Sequence, residues 1–385
     1  MSALTTDLFA GQIDRLYNDF HLQDFPQRHF PPDQLQAVIE RLALNSSGLL
    51  TVSDLGMSFE GRAIRLISGG GGATPVLLWS QMHGDESTAT AAIIDILNYL
   101  IRSRGEEATQ RLLGSLTLHF LPMLNPDGAA RVQRRTAQGI DMNRDALVLA
   151  TPEARILKKL QHELNPRFGF NLHDQELSTV GATKDLTAIA LLAPAYDAGK
   201  SDNEVRLRAK HVASVFASTM AQFIPAKTAR YDDTFEPRAF GDNFQKWGTS
   251  TVLVESGHAT NDPRKDLIRK LNVVGMLSSL YSIATDEYRT SDISVFEDLP
   301  FNGKKAYDVI VRNVTIDYGE GRTAEMDIGI SCQVDTHSEQ PPRIVDLGDL
   351  STLTALKIID GRSSRIPTER LILGEATDLK MFAAT

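Results

Sequence analysis

The chain of 385 residues has almost no cysteine, with Cys332 as its single example. An intrachain disulfide is therefore excluded, and so is a zinc site built from a cluster of cysteine thiolates. Any metal ion bound by this chain must be held by histidine, aspartate and glutamate side chains. Nine histidines and 49 acidic residues supply the candidates.

The chain also has fewer basic than acidic residues, 40 against 49, and no long apolar run. No run reaches the roughly 18 residues of a membrane-spanning helix. The net charge is -9, and no block of Lys and Arg offsets it, which argues against a broad nucleic-acid surface. The first residues lack the basic and apolar regions of a secretory signal. We expect a cytoplasmic protein without membrane or nucleic-acid partners, and the sequence leaves its oligomeric state unknown.

The length and the change of pattern along the chain predict three regions. A hydrophobic share of 42% and a charged share of 23% are ordinary for a globular protein, and the chain is too long for one core. Residues 1–48 carry two helical patterns and are expected to form a layer packed on the next domain. Residues 49–290 alternate between strand and helix patterns. Residues 291–385 show strands and turns without a long helix, which predicts a smaller, mostly β domain.

The middle region predicts an α/β fold with a mixed, mostly parallel sheet flanked by helices. Apolar runs that read as strands alternate with long amphipathic stretches that read as helices. The predicted strands are 75–80, 116–124, 168–174 and 249–255. The predicted helices start near Ser87, Asn203 and Pro263.

A possible metal half-site lies in the turn between the strand 75–80 and the helix that follows. His83 and Glu86 are three positions apart there, and Gly84 lets the backbone bend so that both side chains can face one cation. His173 closes a later apolar strand and is the best third ligand. Open α/β sheets place ligands beyond the carboxyl ends of their strands. A His/Glu/His set with one open position is typical of hydrolytic zinc sites.

Two carboxylates are candidates for supporting roles at this site. Glu255 ends the buried strand 249–255 and could move a proton between an attacking water and a leaving amine. It could equally be a strand-end residue paired with an arginine, or form a second half-site with His258. Asp141 could orient His83 by accepting its other N–H, as zinc-bound imidazoles usually require.

Arginines are concentrated in the loop 131–144. Guanidinium groups there could hold an anionic end of a substrate or stabilise an oxyanion, and the alternative is a solvated cluster. The arginines concerned are Arg131, Arg134, Arg135 and Arg144.

Taken in order, these motifs resemble the zinc carboxypeptidases of the funnelin type, the group that contains carboxypeptidase A. The resemblance covers roughly residues 50–285. The matching positions are Gly56–Arg62, His83-x-x-Glu86, Asn125-Pro-Asp-Gly, Arg135, Asp141-Met-Asn-Arg144, His173 and Glu255.

The resemblance implies a zinc carboxypeptidase-like catalytic domain at 49–290 with one Zn²⁺ per chain, held by His83, Glu86 and His173. It implies further that Glu255 is the general base and acid, and that Arg135 polarises the scissile carbonyl, with Arg134 as the alternate. Asn143 and Arg144 would grip the terminal carboxylate of the substrate, and Tyr231 would cap it. Asp145-Ala146 follows Arg144 where the family usually has asparagine and an aromatic residue.

Three functions follow, in order of preference. The first is a zinc metallocarboxypeptidase that hydrolyses a C-terminal peptide bond by metal-activated water with Glu255 as base. The second is a zinc amidohydrolase of the succinylglutamate desuccinylase or aspartoacylase type, or one acting on cell-wall peptides. The third is a non-enzymatic binding protein on a peptidase scaffold. The expected substrate is accordingly a peptide or an N-acyl amino acid.

Overall fold

The structure is a computed structural model, and it describes residues 4–25, 29–304, 306–332, 334–335, 338–339 and 341–382. Its helices are α1 (Thr6–Phe20), α2 (Pro32–Asn45), α3 (Thr88–Arg102), α4 (Glu107–Ser115), α5 (Pro126–Ala130), α6 (Pro152–Leu164), α7 (Glu204–Phe223), α8 (Phe240–Lys246), α9 (Asp266–Ala284) and α10 (Ser294–Glu297). Its strands are β1 (Leu50–Met57), β2 (Ala63–Gly69), β3 (Thr74–Trp79), β4 (Leu116–Leu121), β5 (Phe168–Asp174), β6 (Thr179–Val180), β7 (Ile189–Leu192), β8 (Thr228–Arg230), β9 (Ser250–Ser256), β10 (Asn302–Gly303), β11 (Ala306–Asp317), β12 (Thr323–Ser331), β13 (Val334–Asp335), β14 (Ser338–Glu339), β15 (Arg343–Gly348), β16 (Thr354–Asp360) and β17 (Arg365–Pro367).

Eight strands form the central sheet, in the order β1-β2-β4-β3-β5-β9-β7-β8. The pairs β3–β4, β3–β5, β5–β9 and β7–β8 are parallel. The pairs β1–β2, β2–β4 and β7–β9 are antiparallel. The predicted mixed, mostly parallel sheet is confirmed. Among the described residues, no helix is both long and apolar enough to cross a membrane.

Helices cover both faces of this sheet, as its apolar strands require. On one face α1, α2, α3, α7 and α9 share a large apolar core with the strands. On the other face α6 and α8 pack on a smaller core, in which the rings of Trp79 and Phe244 lie 4.4 Å apart. Thr151 caps α6, because its hydroxyl accepts a hydrogen bond from the N–H of Ala154 at 3.1 Å.

The N-terminal segment is tied to the central unit by a buried ion pair. Arg269 of α9 binds both carboxylate oxygens of Asp95 of α3, at 2.6 and 2.5 Å. The hydroxyl of Tyr17 of α1 donates to the same carboxylate at 3.0 Å. The carbonyls of Leu22 and Phe25 accept the remaining guanidinium bonds, each at 3.3 Å. Helix α1 is therefore fastened to α3 and α9 by hydrogen bonds as well as by apolar contact.

A second, β-rich sheet follows the last long helix, in the order β15-β12-β11-β16, with β17 also paired to β11. Its apolar cluster includes Val311, Ile328 and Ile344, all buried. The chain first returns to the central region, because β10 pairs with β6 antiparallel. The proposed boundaries at 48 and 290 stay predictions.

The sheet register determines where the site lies. His173 of β5 lies directly opposite Glu255 of β9 in a parallel pair. Strand β3 is the other neighbour of β5 and ends at Trp79, four residues before His83. The carboxyl ends of three adjacent strands thus bring together residues that are far apart in the sequence.

Candidate metal centre

The turn that carries His83 and Glu86 packs closely on the turn Asn125–Gly128. A Cβ atom on Gly84 would lie 2.0 Å from the carbonyl carbon of Gly128, so the contact requires glycine. The Asn125 side chain donates to the carbonyl of Met82 at 3.2 Å and accepts from the N–H of Gly128 at 2.9 Å. Asn125-Pro-Asp-Gly is one of the positions that resemble the family, and the structure shows that it supports the turn after β3.

The hairpin between β1 and β2 stabilises the Asn125–Gly128 turn by hydrogen bonds to Asp127. The buried carboxylate of Asp127 accepts from the Ser58 hydroxyl at 2.7 Å, from Arg62 at 2.6 Å and from the N–H of Glu60 at 2.9 Å. Among the described residues, segment 56–62 makes no hydrogen bond to the metal ligands itself. It stabilises the Asn125–Gly128 turn, against which Gly84 packs.

His83, Glu86 and His173 converge as predicted, and all three are buried. Nδ1 of His83 lies 2.7 Å from one carboxylate oxygen of Glu86, and Nδ1 of His173 lies 2.7 Å from the other. One ligand atom from each residue lies within 4.8 Å of the others. Two imidazole nitrogens and a carboxylate thus face a common point.

Asp141 contacts His83, for which the sequence predicts an orienting carboxylate, and that role stays a prediction. Its Oδ1 lies 3.1 Å from Nε2 of His83 and accepts the N–H of Asn143 at 2.9 Å. A proton held on Nε2 by this carboxylate leaves the lone pair of Nδ1 available to a cation. The contact with Asp141 at Nε2 therefore fits a His83 that binds a metal ion through Nδ1.

The electrostatics of the three residues follow from their partners. Burial lowers the pKa of His83, but Glu86 and Asp141 outweigh burial and raise it to about 9. Burial dominates for His173 and lowers its pKa, although Glu86 acts in the opposite direction. Burial raises the pKa of Glu86, yet the two imidazoles hold it well below its usual value. Glu86 is thus an ionised carboxylate between two rings.

Glu255 lies at the same edge of the sheet and is buried. Its Oε2 has no hydrogen-bond partner among the described residues. Burial, reinforced by the charge of Glu86, raises the pKa of Glu255 well above its usual value. A buried carboxyl group with an unpaired oxygen and a raised pKa is typical of a proton-transfer group.

The two neighbouring arginines of the loop point in different directions. Nη1 of Arg134 lies 3.1 Å from Nδ1 of His83 and 3.2 Å from Glu86, and its Nε donates to Asp141 at 3.2 Å. Arg135 is exposed and donates to the carbonyl of Gly139 at 3.0 Å. The sequence analysis prefers Arg135 as the group that polarises the carbonyl and names Arg134 as the alternate. In the structure it is Arg134 that lies against His83 and Glu86, whereas Arg135 bonds to its own loop.

Asn143 and Arg144 lie in a short 3-10 turn, Met142–Arg144, next to the loop before α8. The side-chain oxygen of Asn143 accepts the N–H of Phe240 at 2.9 Å. Arg144 donates to the carbonyl of Asn143 at 2.7 Å and lies 3.3 Å from the carboxylate of Glu236. Among the described residues, neither side chain is hydrogen-bonded to His83, Glu86 or His173, and Nη2 of Arg144 has no recorded partner that would compete with an anion.

Asp145, the departure from the family pattern, has a structural explanation. Its buried carboxylate accepts from the N–H groups of Ala150 and Thr151, at 2.9 and 2.8 Å, and from the Thr151 hydroxyl at 2.9 Å. These bonds shape the loop that leads into α6, so donors of that loop occupy both oxygens of the carboxylate.

Tyr231 follows β8 and is anchored through its backbone, because its N–H donates to the carbonyl of Leu191 at 2.9 Å. Burial and the carboxylates of Glu255 and Glu86 raise the pKa of its hydroxyl to about 12. The phenol therefore stays protonated near neutral pH, and it is close enough to Glu255 and Glu86 to be affected by their charges.

Comparison with known sequences agrees with this geometry. Residues 35–176 match the family model described as zinc carboxypeptidase. This part of the chain is therefore similar to the zinc carboxypeptidases. The match contains the three ligands and the arginine loop, whereas Tyr231 and Glu255 lie beyond it.

The individual proteins that this chain resembles are distant from it in sequence. Probable carboxypeptidase 2 of Arthroderma benhamiae is 29% identical over 160 residues, which are 40% of this chain and 29% of that protein. Carboxypeptidase M of Mus musculus is 27% identical over 119 residues, or 29% of this chain and 26% of that protein. The chain thus spans less than a third of the length of these curated relatives.

Solved structures share the zinc carboxypeptidase fold. A metallo-carboxypeptidase from Burkholderia cenocepacia aligns with a TM-score of 0.53 and 16% identity, over 66% of this chain and 69% of that one. Carboxypeptidase A from Helicoverpa armigera aligns with a TM-score of 0.54 and 15% identity, over 71% and 80%. At this identity the likeness establishes the fold.

The three buried side chains fit one Zn²⁺ ion. Zinc accepts two imidazole nitrogens and a carboxylate oxygen, and with three protein ligands it keeps one position open. The Nδ1 atoms of both histidines face Glu86, and the carboxylate of Asp141 lies against Nε2 of His83. The donor set of this chain is therefore that of a hydrolytic zinc site.

Proposed function

We propose that this chain is a zinc-dependent carboxypeptidase that hydrolyses the last peptide bond of a substrate with a free carboxyl terminus. One observation carries the proposal. The carboxyl group of Glu255, which has an unpaired oxygen, lies beside a complete His83/Glu86/His173 set at one sheet edge. Three ligands alone could serve a structural metal, whereas an added proton-transfer group implies hydrolysis.

Glu255 is proposed as the group that moves the proton. A zinc ion, when bound, lowers the pKa of water and polarises the carbonyl under attack. Glu255 then accepts a proton from the attacking water and delivers it to the leaving amine. Its raised pKa, caused by burial and the charge of Glu86, makes the protonated form accessible for that delivery.

Arg134 is proposed as the group that stabilises the oxyanion of the tetrahedral intermediate. Its guanidinium lies against His83 and Glu86, and Asp141 binds it from the other side at 3.1 Å. A cation held beside the reacting carbonyl lowers the energy of the charge that develops in the transition state. We assign this role to Arg134 in place of Arg135, because Arg135 is bonded to Gly139 in its own loop.

Asn143 and Arg144 are proposed to bind the terminal carboxylate, with Tyr231 covering the substrate. Arg144 presents unused N–H donors, and paired guanidinium donors match the edge of a carboxylate. The carboxylate of Glu236 offsets part of the charge of Arg144. A substrate carboxylate would therefore share Arg144 with Glu236. Burial raises the pKa of the Tyr231 hydroxyl, and the charges of Glu255 and Glu86 add to this shift, which supports a place for Tyr231 near the metal ligands.

The test compares three substrate classes on the zinc-loaded chain. Peptides with a free C-terminus should lose one residue, while the same peptides with an amidated C-terminus should react at least about 100-fold more slowly, because the grip at Arg144 is lost. N-acyl amino acids are the third class. Faster turnover of those, or equal turnover of free and amidated peptides, would replace the carboxypeptidase with an amidohydrolase.

A further inference from the structure

Asp174, which follows the ligand His173, joins three elements beneath the metal centre. Its Oδ2 accepts the hydroxyl of Thr88 at 2.5 Å and lies 3.0 Å from Nζ of Lys265. Thr88 begins α3 two residues after Glu86, and Lys265 precedes α9. One carboxylate oxygen therefore links the end of β5 to the starts of two helices.

Lys265 is an unusual residue at this place. Its side chain is 3% exposed, and its backbone φ is 58°, in the left-handed region where a residue with a Cβ atom costs about 1 kcal/mol. A buried ammonium group costs several kcal/mol more unless it is paired and hydrogen-bonded. The pairing with Asp174 meets that need, and strained backbone of this kind concentrates at functional sites.

The ammonium of Lys265 also reaches the strand that carries the proposed base. Nζ donates to the carbonyl of Ser256 at 3.2 Å, and Ser256 directly follows Glu255. The side chain of Lys265 thus bridges the carboxyl ends of β5 and β9, whose residues His173 and Glu255 lie opposite each other.

The backbone of Asp174 contacts a ligand directly. Its N–H donates to Oε2 of Glu86 at 3.2 Å, the same oxygen that faces Nδ1 of His173. Any shift of Asp174 would therefore move a hydrogen bond to Glu86 together with the position of His173. Groups that orient metal ligands in this way typically change metal affinity 10- to 100-fold when they are removed.

We propose that Lys265 is a positioning residue of the metal centre. By binding Asp174 and the carbonyl of Ser256, it sets the spacing between the start of α3 and the ends of β5 and β9. That spacing places Glu86 and His173 around the zinc ion and Glu255 beside it. The part that concerns Glu255 rests on the proposed hydrolytic function, and the part that concerns the ligands rests on zinc binding alone.

The test is the dissociation constant for zinc, measured on the full chain by competition with a chromophoric chelator. Lys265→Met should weaken zinc binding about 10- to 100-fold. Thr88→Val, which removes one bond to Asp174 at constant volume, should weaken it at least about 3-fold and keeps the test decisive if the lysine variant does not fold. Asp174→Asn combined with Lys265→Met removes the buried unpaired charge and should recover part of the loss.

Lys210→Met is the matched control, because Lys210 is also buried and paired, with Asp202 at 2.6 Å and Glu297 at 2.7 Å. Both lysine variants should melt at lower temperature, and zinc affinity should fall for Lys265→Met alone. Unchanged zinc affinity in Lys265→Met and Thr88→Val would overturn the proposal whether or not peptides are cleaved. A wild-type chain that binds zinc with the expected variant pattern but cleaves no peptide would overturn the carboxypeptidase function and support the positioning role.

Discussion

Helix α3 connects two buried clusters of charged side chains, which differ in whether every carboxylate oxygen has a hydrogen-bond partner. Asp95, within the helix, has both oxygens bound by Arg269, Tyr17 and the N–H of Leu22. Glu86, just before the helix, belongs to a cluster in which Glu255 keeps an oxygen without a described partner. Buried polar groups in stable interiors are nearly always hydrogen-bonded. We therefore expect that disrupting the satisfied cluster lowers stability, and that disrupting the incomplete one lowers zinc binding or turnover.

The largest effect should come from Glu255→Gln. Glutamine keeps the size of the side chain but cannot accept and deliver a proton, so we expect kcat to fall about 10²- to 10⁴-fold. Zinc content, measured by metal analysis, should stay at the wild-type value because Glu255 is not a ligand. Normal turnover in this variant would assign the proton transfer to another group.

Arg134→Ala should reduce kcat/KM about 10²- to 10³-fold, since it removes a cation held beside the site of the developing oxyanion. Arg135→Ala provides the matched control in the same loop and should stay within about 3-fold of the wild type. Steady-state kinetics on one free-carboxyl peptide compares the two. The reverse order of effects would restore the role to Arg135 and show that the loop rearranges with substrate.

Arg269→Met tests the satisfied cluster and should lower the free energy of unfolding by about 3–5 kcal/mol, because it leaves the carboxylate of Asp95 buried and unpaired. Chemical denaturation measures the change. Zinc affinity at a temperature where the variant is folded should be unaltered. A large loss of zinc affinity would contradict the separation of the two clusters.

The smallest effect concerns Asp242, a buried residue of α8 whose Oδ1 accepts the N–H of Glu236 at 3.0 Å. Burial raises its pKa from 3.8 to about 6. The folded state therefore holds this proton more tightly, and the stability it contributes below pH 4 is lost as the pH rises through about 6. Asp242→Asn should match the wild type near pH 4 and exceed it above pH 6 by up to about 3 kcal/mol. Denaturation curves at the two pH values measure this, and a constant difference would contradict the assignment.

Much of the site could be predicted because its signals are local. His83 and Glu86 are close in the sequence, and His173 and Glu255 end apolar strands whose carboxyl ends meet in a parallel sheet. The order of the strands could not be predicted, since β4 lies between β2 and β3 through pairings that are distant in the sequence. Predictions that no structural contact addresses, such as the cytoplasmic location, stay predictions.

The choice between Arg134 and Arg135 was beyond the sequence because it depends on the direction of each side chain in an irregular loop. Lys265 was missed for a related reason. Lys265 has a left-handed backbone and contacts Asp174, which is 91 positions away. Neither feature produces a periodic pattern that a sequence could show. A positive φ at a lysine just before a helix is visible only in the structure.

The most direct test of the contrast between the two clusters is the number of zinc ions bound per chain, measured by native mass spectrometry at a fixed free zinc concentration. We predict one ion for the wild type, for Glu255→Gln and for Arg269→Met, and none for His173→Ala. A full zinc ion on His173→Ala, or none on the wild type, would contradict the assignment of the incomplete cluster as the metal centre.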